Sequence, residues 1–132
     1  MAQAGNSFRI VLGETHLGWG NHRYTNSRDI IYGEGYIPIP AKFARKYNIF
    51  NSNNFNTGLG YNLFNAASSD GIFQGLLKSS GCSKKGYRYA KNLHGCGNLK
   101  ALGYWFSKIN AVPGDLIEVR WTSPTDIILT RI

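Results

Sequence analysis

Residues 113–132 read PGDLIEVRWTSPTDIILTRI, and this stretch decides the fold class. It opens with Pro113-Gly114-Asp115, whose composition is typical of a tight turn. From Leu116 to Trp121 apolar and charged residues then alternate, so the apolar side chains face one side of a predicted strand and the charged ones the other. A second turn at Ser123-Pro124 precedes a last predicted strand, Asp126–Ile132. The stretch therefore indicates β structure.

Five segments upstream have the signals of strands or extended chain. Ser7–Gly13 is rich in β-branched and aromatic residues and closes with glycine. Gly35–Pro40 is extended, because each proline pushes the residue before it out of the helical region, and its internal proline favours an edge position. Leu59–Ala66 and Ile72–Leu77, joined by turn residues, predict a hairpin. Tyr87–Tyr89 is a candidate short strand.

Two short helices complete the pattern. Pro40 suits the first turn of a helix that runs to Asn48. Its apolar face holds Phe43, Ala44 and Tyr47, and its other face holds Lys42, Arg45 and Lys46. Asn98 is a candidate N-cap for a second helix with apolar residues at helical spacing, namely Leu99, Leu102, Phe106 and Ile109. With six or seven strands and no linker or repeat, residues 1–132 are predicted to form one mostly β domain, a barrel or sandwich with two helical plugs.

The charge of the chain points to a polyanionic partner. Its 132 residues include 15 Lys and Arg against 7 Asp and Glu, a net charge of +8. Such an excess favours nucleic acid or an anionic membrane surface. The sequence contains no run of about 18 apolar residues, the length needed to span a membrane, and no secretion signal is visible. Two cysteines, Cys82 and Cys96, do not make a disulfide framework. We therefore expect a cytoplasmic protein.

The basic residues concentrate in a stretch that lacks acids. Between Asp70 and Asp115 there is no acidic residue, and five of the seven basic ones fall within Lys78–Lys91 among serines and tyrosines. Cations and short hydroxyl donors are what a phosphate-tracking surface needs, whereas a merely solvated surface normally mixes both signs. The predicted phosphate contacts here are Lys78, Ser80, Lys84, Lys85, Tyr87 and Lys91.

The loop predicted over Glu14–Arg28 has a different chemistry. Its side chains suit directional contacts with base edges, such as arginine to guanine and asparagine to adenine. The predicted base-reading residues are Asn21, His22, Arg23, Asn26 and Arg28, together with Arg88, and Ser27 is a predicted phosphate contact. Trp19 could stack on a base, anchor the loop to the barrel or do neither, and an isolated tryptophan in a loop more often serves as an anchor.

Catalytic and metal sites are weakly indicated. Glu14 with His16, or His16 with His22, could be drawn as an acid–base pair. Clustered carboxylates for a metal-dependent nuclease are missing from the sequence, and Cys82, His94 and Cys96 lack the spacing of a paired-cysteine zinc site. We expect no catalytic residue, metal or small-molecule cofactor in this chain.

Three stretches, in their order and spacing, carry a family resemblance. They are Gly33–Ala44, which enters a helix at a proline; Gly103–Phe106 with Pro113–Ile117; and the closing strand from Asp126. In this arrangement the chain resembles the B3-type DNA-binding pseudobarrel. Within that family it is similar to the bacterial branch of recognition or effector-binding domains of restriction endonucleases, the other large branch being the plant transcription-factor domains.

The resemblance implies a seven-stranded open β-barrel with two short α-helices over the whole chain. It also implies two arms that grip the major groove like a wrench, for which the matching segments here are Glu14–Arg28 and Lys78–Lys91. The implied function is sequence-specific binding of double-stranded DNA as the recognition or effector domain of a type II restriction endonuclease. Catalysis would then belong to a nuclease domain or subunit, the second candidate partner.

Two other functions remain open from the sequence. One is a single-stranded nucleic-acid or RNA-binding barrel that stacks bases on Trp19, Tyr87 and Tyr89. The other is a small nuclease that depends on His16 or His22. A membrane-surface role is the weakest, because neither predicted helix combines a long apolar face with a basic one.

Overall fold

The computed structural model describes residues 2–17, 35–52, 57–81, 88–98 and 100–132. These residues form a mostly β fold, in which seven strands make one nearly closed, barrel-like sheet. The strands are β1 (Ser7–Val11), β2 (Ile37–Pro38), β3 (Leu63–Ser68), β4 (Gln74–Ser80), β5 (Asn92–Gly95), β6 (Leu116–Ser123) and β7 (Asp126–Arg131). The helices are α1 (Glu14–Leu17), α2 (Ala41–Tyr47) and α3 (Ala101–Lys108).

The strand pairing fixes which segments meet at each end of the barrel. The order is β1-β6-β7-β3-β4-β5-β2, and every neighbouring pair is antiparallel except β3 with β7. It follows that β1, β3, β5 and β7 begin at the end where β2, β4 and β6 finish. Helix α2 closes that end, because the Tyr47 hydroxyl donates to the carbonyl of Ser7 at the start of β1 (2.8 Å). We call it the α2 end.

Helix α3 closes the opposite end, which we call the α3 end. Trp105 of α3 donates its indole N–H to Asp70 in the β3–β4 turn (3.1 Å). Leu102, Trp105 and Phe106 are buried in the core. The turn before β6 lies at this end too, where the Leu12 N–H after β1 donates to the Asp115 carbonyl (2.8 Å).

Side chains alternate between the two faces of each strand, and most of those that point into the barrel are apolar. Trp121 of β6 lies at the centre of an aromatic group, with ring centroids 5.6 Å from Phe64, 6.1 Å from Phe8 and 6.2 Å from Tyr47. Ile117, Val119 and Trp121 are fully buried, as their alternation predicts. The predicted mostly β, barrel-like fold is confirmed, its two predicted short helices correspond to α2 and α3, and Pro38 lies on an edge strand as expected.

The structure corrects four element boundaries. Glu14–Leu17, predicted to be loop, forms one helical turn. The hairpin strands are displaced towards the C-terminus, so that Lys78 and Ser80 belong to β4. Tyr89 makes only an isolated bridge with Phe50, and the next strand is instead Asn92–Gly95. Helix α3 begins at Ala101, although the Asn98 side chain does accept from the Lys100 N–H (3.1 Å).

Glu118 is more buried than its position on the outer side of β6 predicts. It lies on the outer side of the strand, as the alternation requires, but only 8% of it is exposed. Arg9 on the neighbouring strand and Arg120 both pair with its carboxylate, at 3.0 and 3.1 Å. The two long arginine side chains cover the carboxylate, which explains the burial of a charged residue on the outer surface.

Candidate nucleic-acid interface

Most of the residues that the sequence assigns to DNA contact lie outside the described residues. This holds for Trp19, Asn21, His22, Arg23, Asn26, Ser27, Arg28, Lys84, Lys85 and Tyr87. The described members are Lys78, Ser80, Arg88 and Lys91. The structure also describes the residues on both sides of segments 18–34 and 82–87, and these flanks show where each segment joins the barrel.

The flanks of segment 18–34 meet at the α3 end. The N–H of Tyr36 donates to the carbonyl of His16 at 3.1 Å, so the chain leaves and re-enters the barrel at one place. The His16 ring meets the Tyr36 ring edge to face, with centroids 5.1 Å apart. Gly35 is packed so closely that an added Cβ would lie 3.0 Å from the backbone N of Gly103 in α3. We call this point the first root.

The flanks of segment 82–87 meet at the α2 end. The N–H of Lys91 donates to the carbonyl of Ser80 at 2.9 Å, and its own carbonyl accepts from Ile39 at 2.8 Å. Gly81 has a φ of +128° and lies so close to Lys91 and Asn92 that a side chain there would meet both. Arg88 is held by its carbonyl, which accepts from the Asn51 N–H at 2.8 Å. We call this point the second root.

Strands β2 and β5 connect the two roots. Ile37 pairs with Leu93, and continuing this antiparallel register sets Gly35 opposite Gly95 and Ile39 opposite Lys91. The four residue steps from one level to the other, at about 3.3 Å per residue, span about 13 Å. The two roots therefore lie on one side of the barrel, at opposite ends, with a short stretch of sheet between them.

The sheet surface between the roots is polar and basic. On the outer face of β4 and β5, Lys78 pairs across the strands with His94 and Ser80 with Asn92. The Ser80 hydroxyl and His94 Nε2 form a hydrogen bond of 2.7 Å. Lys78 and Ser80 are predicted at the interface from the sequence, whereas Asn92 is not, and His94 is considered there only as a zinc ligand. Alternation of Asn92 and His94 with the apolar Leu93 is the signal that could have found them.

Arg88 lies on an aromatic stack beside the second root. Its guanidinium carbon is 5.7 Å from the ring centroid of Phe50 and 6.0 Å from that of Tyr89. The Phe50 ring also stacks on the rings of Tyr61 and Tyr89, with centroid distances of 6.2 and 6.3 Å. Cation–π contact limits the conformations of an exposed arginine, so the side chain loses less conformational entropy when its donors bind a partner. The same stack covers one face of the Tyr89 ring with Phe50.

Charge is distributed unequally between the ends of the barrel. Among the described acids, Glu14, Asp70 and Asp115 are at the α3 end, where Asp115 pairs with Arg131 (3.6 Å). The α2 end and the adjoining sheet surface carry a larger group of basic residues, and the described acids there are Asp126 and Glu118, of which Glu118 is paired with Arg9 and Arg120. These basic residues are Lys42, Arg45, Lys46, Lys78, Arg88, Lys91 and Arg120.

The described residues that the sequence considered for chemistry have structural contacts. His16 Nδ1 accepts the N–H of Gly13 at 2.8 Å, and burial lowers the pKa of this imidazole below its usual value. Cys96 is a half-buried free thiol. In the described part of the chain no group of three or more His, Cys, Asp or Glu is arranged to hold a metal ion. Nor does any helix there have the length and apolar character needed to cross a membrane.

In comparisons with protein-family models, curated proteins and solved structures, none matches this chain. The assignment of a function therefore depends on the geometry and chemistry of the chain itself.

Proposed function

We propose that this protein binds double-stranded DNA in a sequence-specific manner, through segments 18–34 and 82–87 and the sheet surface between their roots. In this proposal the chain is a recognition or effector domain of the B3-like, restriction-endonuclease type. It positions DNA for a nuclease domain or subunit and does not itself cut.

The observation that carries the proposal is the placement of the two roots. They lie on one side of the barrel about 13 Å apart along β5, which is close to the major-groove width of about 12 Å. The segments that start there contain the arginines, asparagines and lysines that suit base edges and phosphates. Two arms at this separation would enter the groove from either side.

The chemistry of the described surface supports the same partner. Lys78 and Lys91 can bind phosphates as point charges, while Arg88 has the fork of donors that pairs with guanine O6 and N7. Within the described residues neither Lys78 nor Arg88 is paired with an acid. These two cations therefore remain available for DNA without breaking an ion pair of the fold.

The test is a binding selection from a randomised duplex pool at moderate salt, with this chain alone. We expect enrichment of one short motif of about 4–7 base pairs, as for a single small reader domain. Tight binding without enrichment would overturn sequence-specific recognition and leave only the electrostatic attraction. Preference for a single-stranded competitor would instead favour the base-stacking barrel.

Two variants assign the roles on the selected duplex. Arg88→Ala should cost about 1–3 kcal/mol on the selected site and relax the preference at one position, because alanine cannot make the bidentate hydrogen bonds to the base. Lys78→Ala is the matched control, which should weaken binding to all duplex sequences equally and reduce the log–log salt slope by about 0.9. If both variants bound the selected and the random duplexes more weakly by the same factor, Arg88 would not be a base reader.

A further inference from the structure

Helix α2 presents a cationic face that the sequence-based interface does not include. Lys42, Arg45 and Lys46 follow the i, i+3, i+4 spacing of one helix face, and all three are exposed. Within the described residues none of them forms an ion pair with an acid. The opposite face packs into the barrel, since Ala44 is fully buried and the Phe43 ring stacks on Phe8 at 5.8 Å.

Backbone hydrogen bonds attach α2 to the second root at both of its ends. Before the helix, Ile39 donates to the Lys91 carbonyl at 2.8 Å; after it, Ile49 accepts from the Ala90 N–H at 3.1 Å. The cations of α2 therefore adjoin the root that carries Arg88 and Lys91. The helix is also fixed in place, because its last residue donates a side-chain hydrogen bond to β1.

From this continuity we infer that the outer face of α2 is an additional DNA-backbone site, which binds the phosphates of the duplex just outside the recognition sequence. The inference rests on the proposed function and names a part of the interface beyond the two arms. Lysines and arginines that form no ion pair within the described residues can bind phosphates independently of sequence. The seven residues of α2 span about 10 Å, which equals about three base-pair steps of about 3.4 Å.

The salt dependence of duplex binding tests the inference. The double variant Lys42→Ala/Lys46→Ala should reduce the log–log salt slope by about 1.8, which is about 0.9 for each phosphate that is no longer neutralised. Between 50 and 200 mM salt its affinity should therefore fall about 12-fold less than that of the parent. The matched control is Lys100→Ala/Lys108→Ala, which removes two exposed lysines at the α3 end and should leave the slope unchanged.

Truncation of the duplex locates the phosphates that α2 binds. Removing about three base pairs of flanking DNA from one end should weaken duplex binding by the parent more than binding by the double variant, which retains Arg45. Scrambling those base pairs should change the binding of neither protein. Alanine is a strong helix former, so the substitutions favour α2, and circular dichroism checks that the fold is retained.

The outcomes separate this inference from the proposed function. If the parent binds no duplex, the proposed function fails and the inference fails with it. If the parent selects a motif and the double variant keeps the full salt slope, only the α2 site is overturned. If the double variant keeps that slope but loses binding to phosphatidylserine vesicles, the α2 face belongs to a membrane surface, which also overturns the inference.

Discussion

At the scale of single residues, His16 shows how a side chain with catalytic potential is used by the fold. Its Nδ1 accepts the Gly13 N–H and its carbonyl accepts the Tyr36 N–H, so both flanks of segment 18–34 are attached to one histidine. The lone pair on Nδ1, which a general base would need, is already occupied. The hydrogen bonding explains the position of His16 without assigning it a role in nucleic-acid cleavage.

We predict that protonation of His16 destabilises the protein. Burial lowers the pKa of the folded-state imidazole below 6.5, so the folded state favours the neutral ring. The resulting stability is complete above about pH 6.5 and is lost as the pH falls through the folded-state pKa. The urea midpoint of the parent should fall from pH 8 to pH 5 by more than that of His16→Asn, which retains an acceptor but does not titrate. Parallel pH profiles for the two proteins would contradict this role.

At the scale of elements, Gly95 explains the glycine-rich junction between β5 and α3. A Cβ at Gly95 would lie 2.0 Å from the Asn98 carbonyl oxygen and 2.8 Å from the Ala101 Cβ, so the strand and the helix start can meet only at a glycine. Gly97, two residues later, has a φ of +74°, which allows the chain to turn into the helix. The junction sets the distance of α3 from the sheet and, through Gly103, from the first root.

Gly95→Ala should therefore destabilise the protein by about 1–3 kcal/mol, the usual cost of forcing extra volume into a packed site. Gly75→Ala in β4 is the matched control, because its Cβ would meet only the Phe73 ring at an ordinary 3.7 Å. There the loss of backbone freedom in the unfolded chain should give a gain of about 0.5–1 kcal/mol. Denaturant unfolding of both variants measures the difference. Equal free energies of unfolding would contradict the close approach.

The elements also show which parts of this fold the sequence can predict. Strand β6 is predictable because Ile117, Val119 and Trp121 alternate with polar residues after an unambiguous turn. Strand β5 is harder to predict, because in four residues one large apolar side chain, Leu93, marks its alternation, and its glycine is required by the close packing of the strand against the start of α3. The chemistry of the proposed interface rests on residue types alone. The continuity of α2 with the second root could not be predicted from the sequence, since it depends on hydrogen bonds between residues about 40–50 positions apart.

At the scale of the whole molecule, we expect the barrel to fold without segment 18–34. Among the described residues the core is built from the strands together with α2 and α3, and the hydrogen bond between His16 and Tyr36 joins the two flanks of segment 18–34. In the proposed function segment 18–34 reads the bases, whereas much of the electrostatic attraction to DNA comes from cations that belong to the barrel itself. Sequence selectivity and general affinity for DNA should therefore respond differently to removal of a segment.

Replacing residues 18–34 with Gly-Asn-Gly-Gly tests this separation. The variant should unfold cooperatively, with a free energy of unfolding within about 1 kcal/mol of the parent, the size of the loop-closure term for such a shortening. It should lose the preference for the selected duplex at every position except the one read by Arg88. It should also keep salt-sensitive binding to random duplexes, because Lys78, Lys91 and the α2 cations remain. Calorimetry and duplex titration measure the two properties on one sample. A variant that stays folded and keeps the full preference of the parent for the selected duplex would show that segment 18–34 does not read the bases, whereas a variant that fails to fold would show that this segment is part of the barrel.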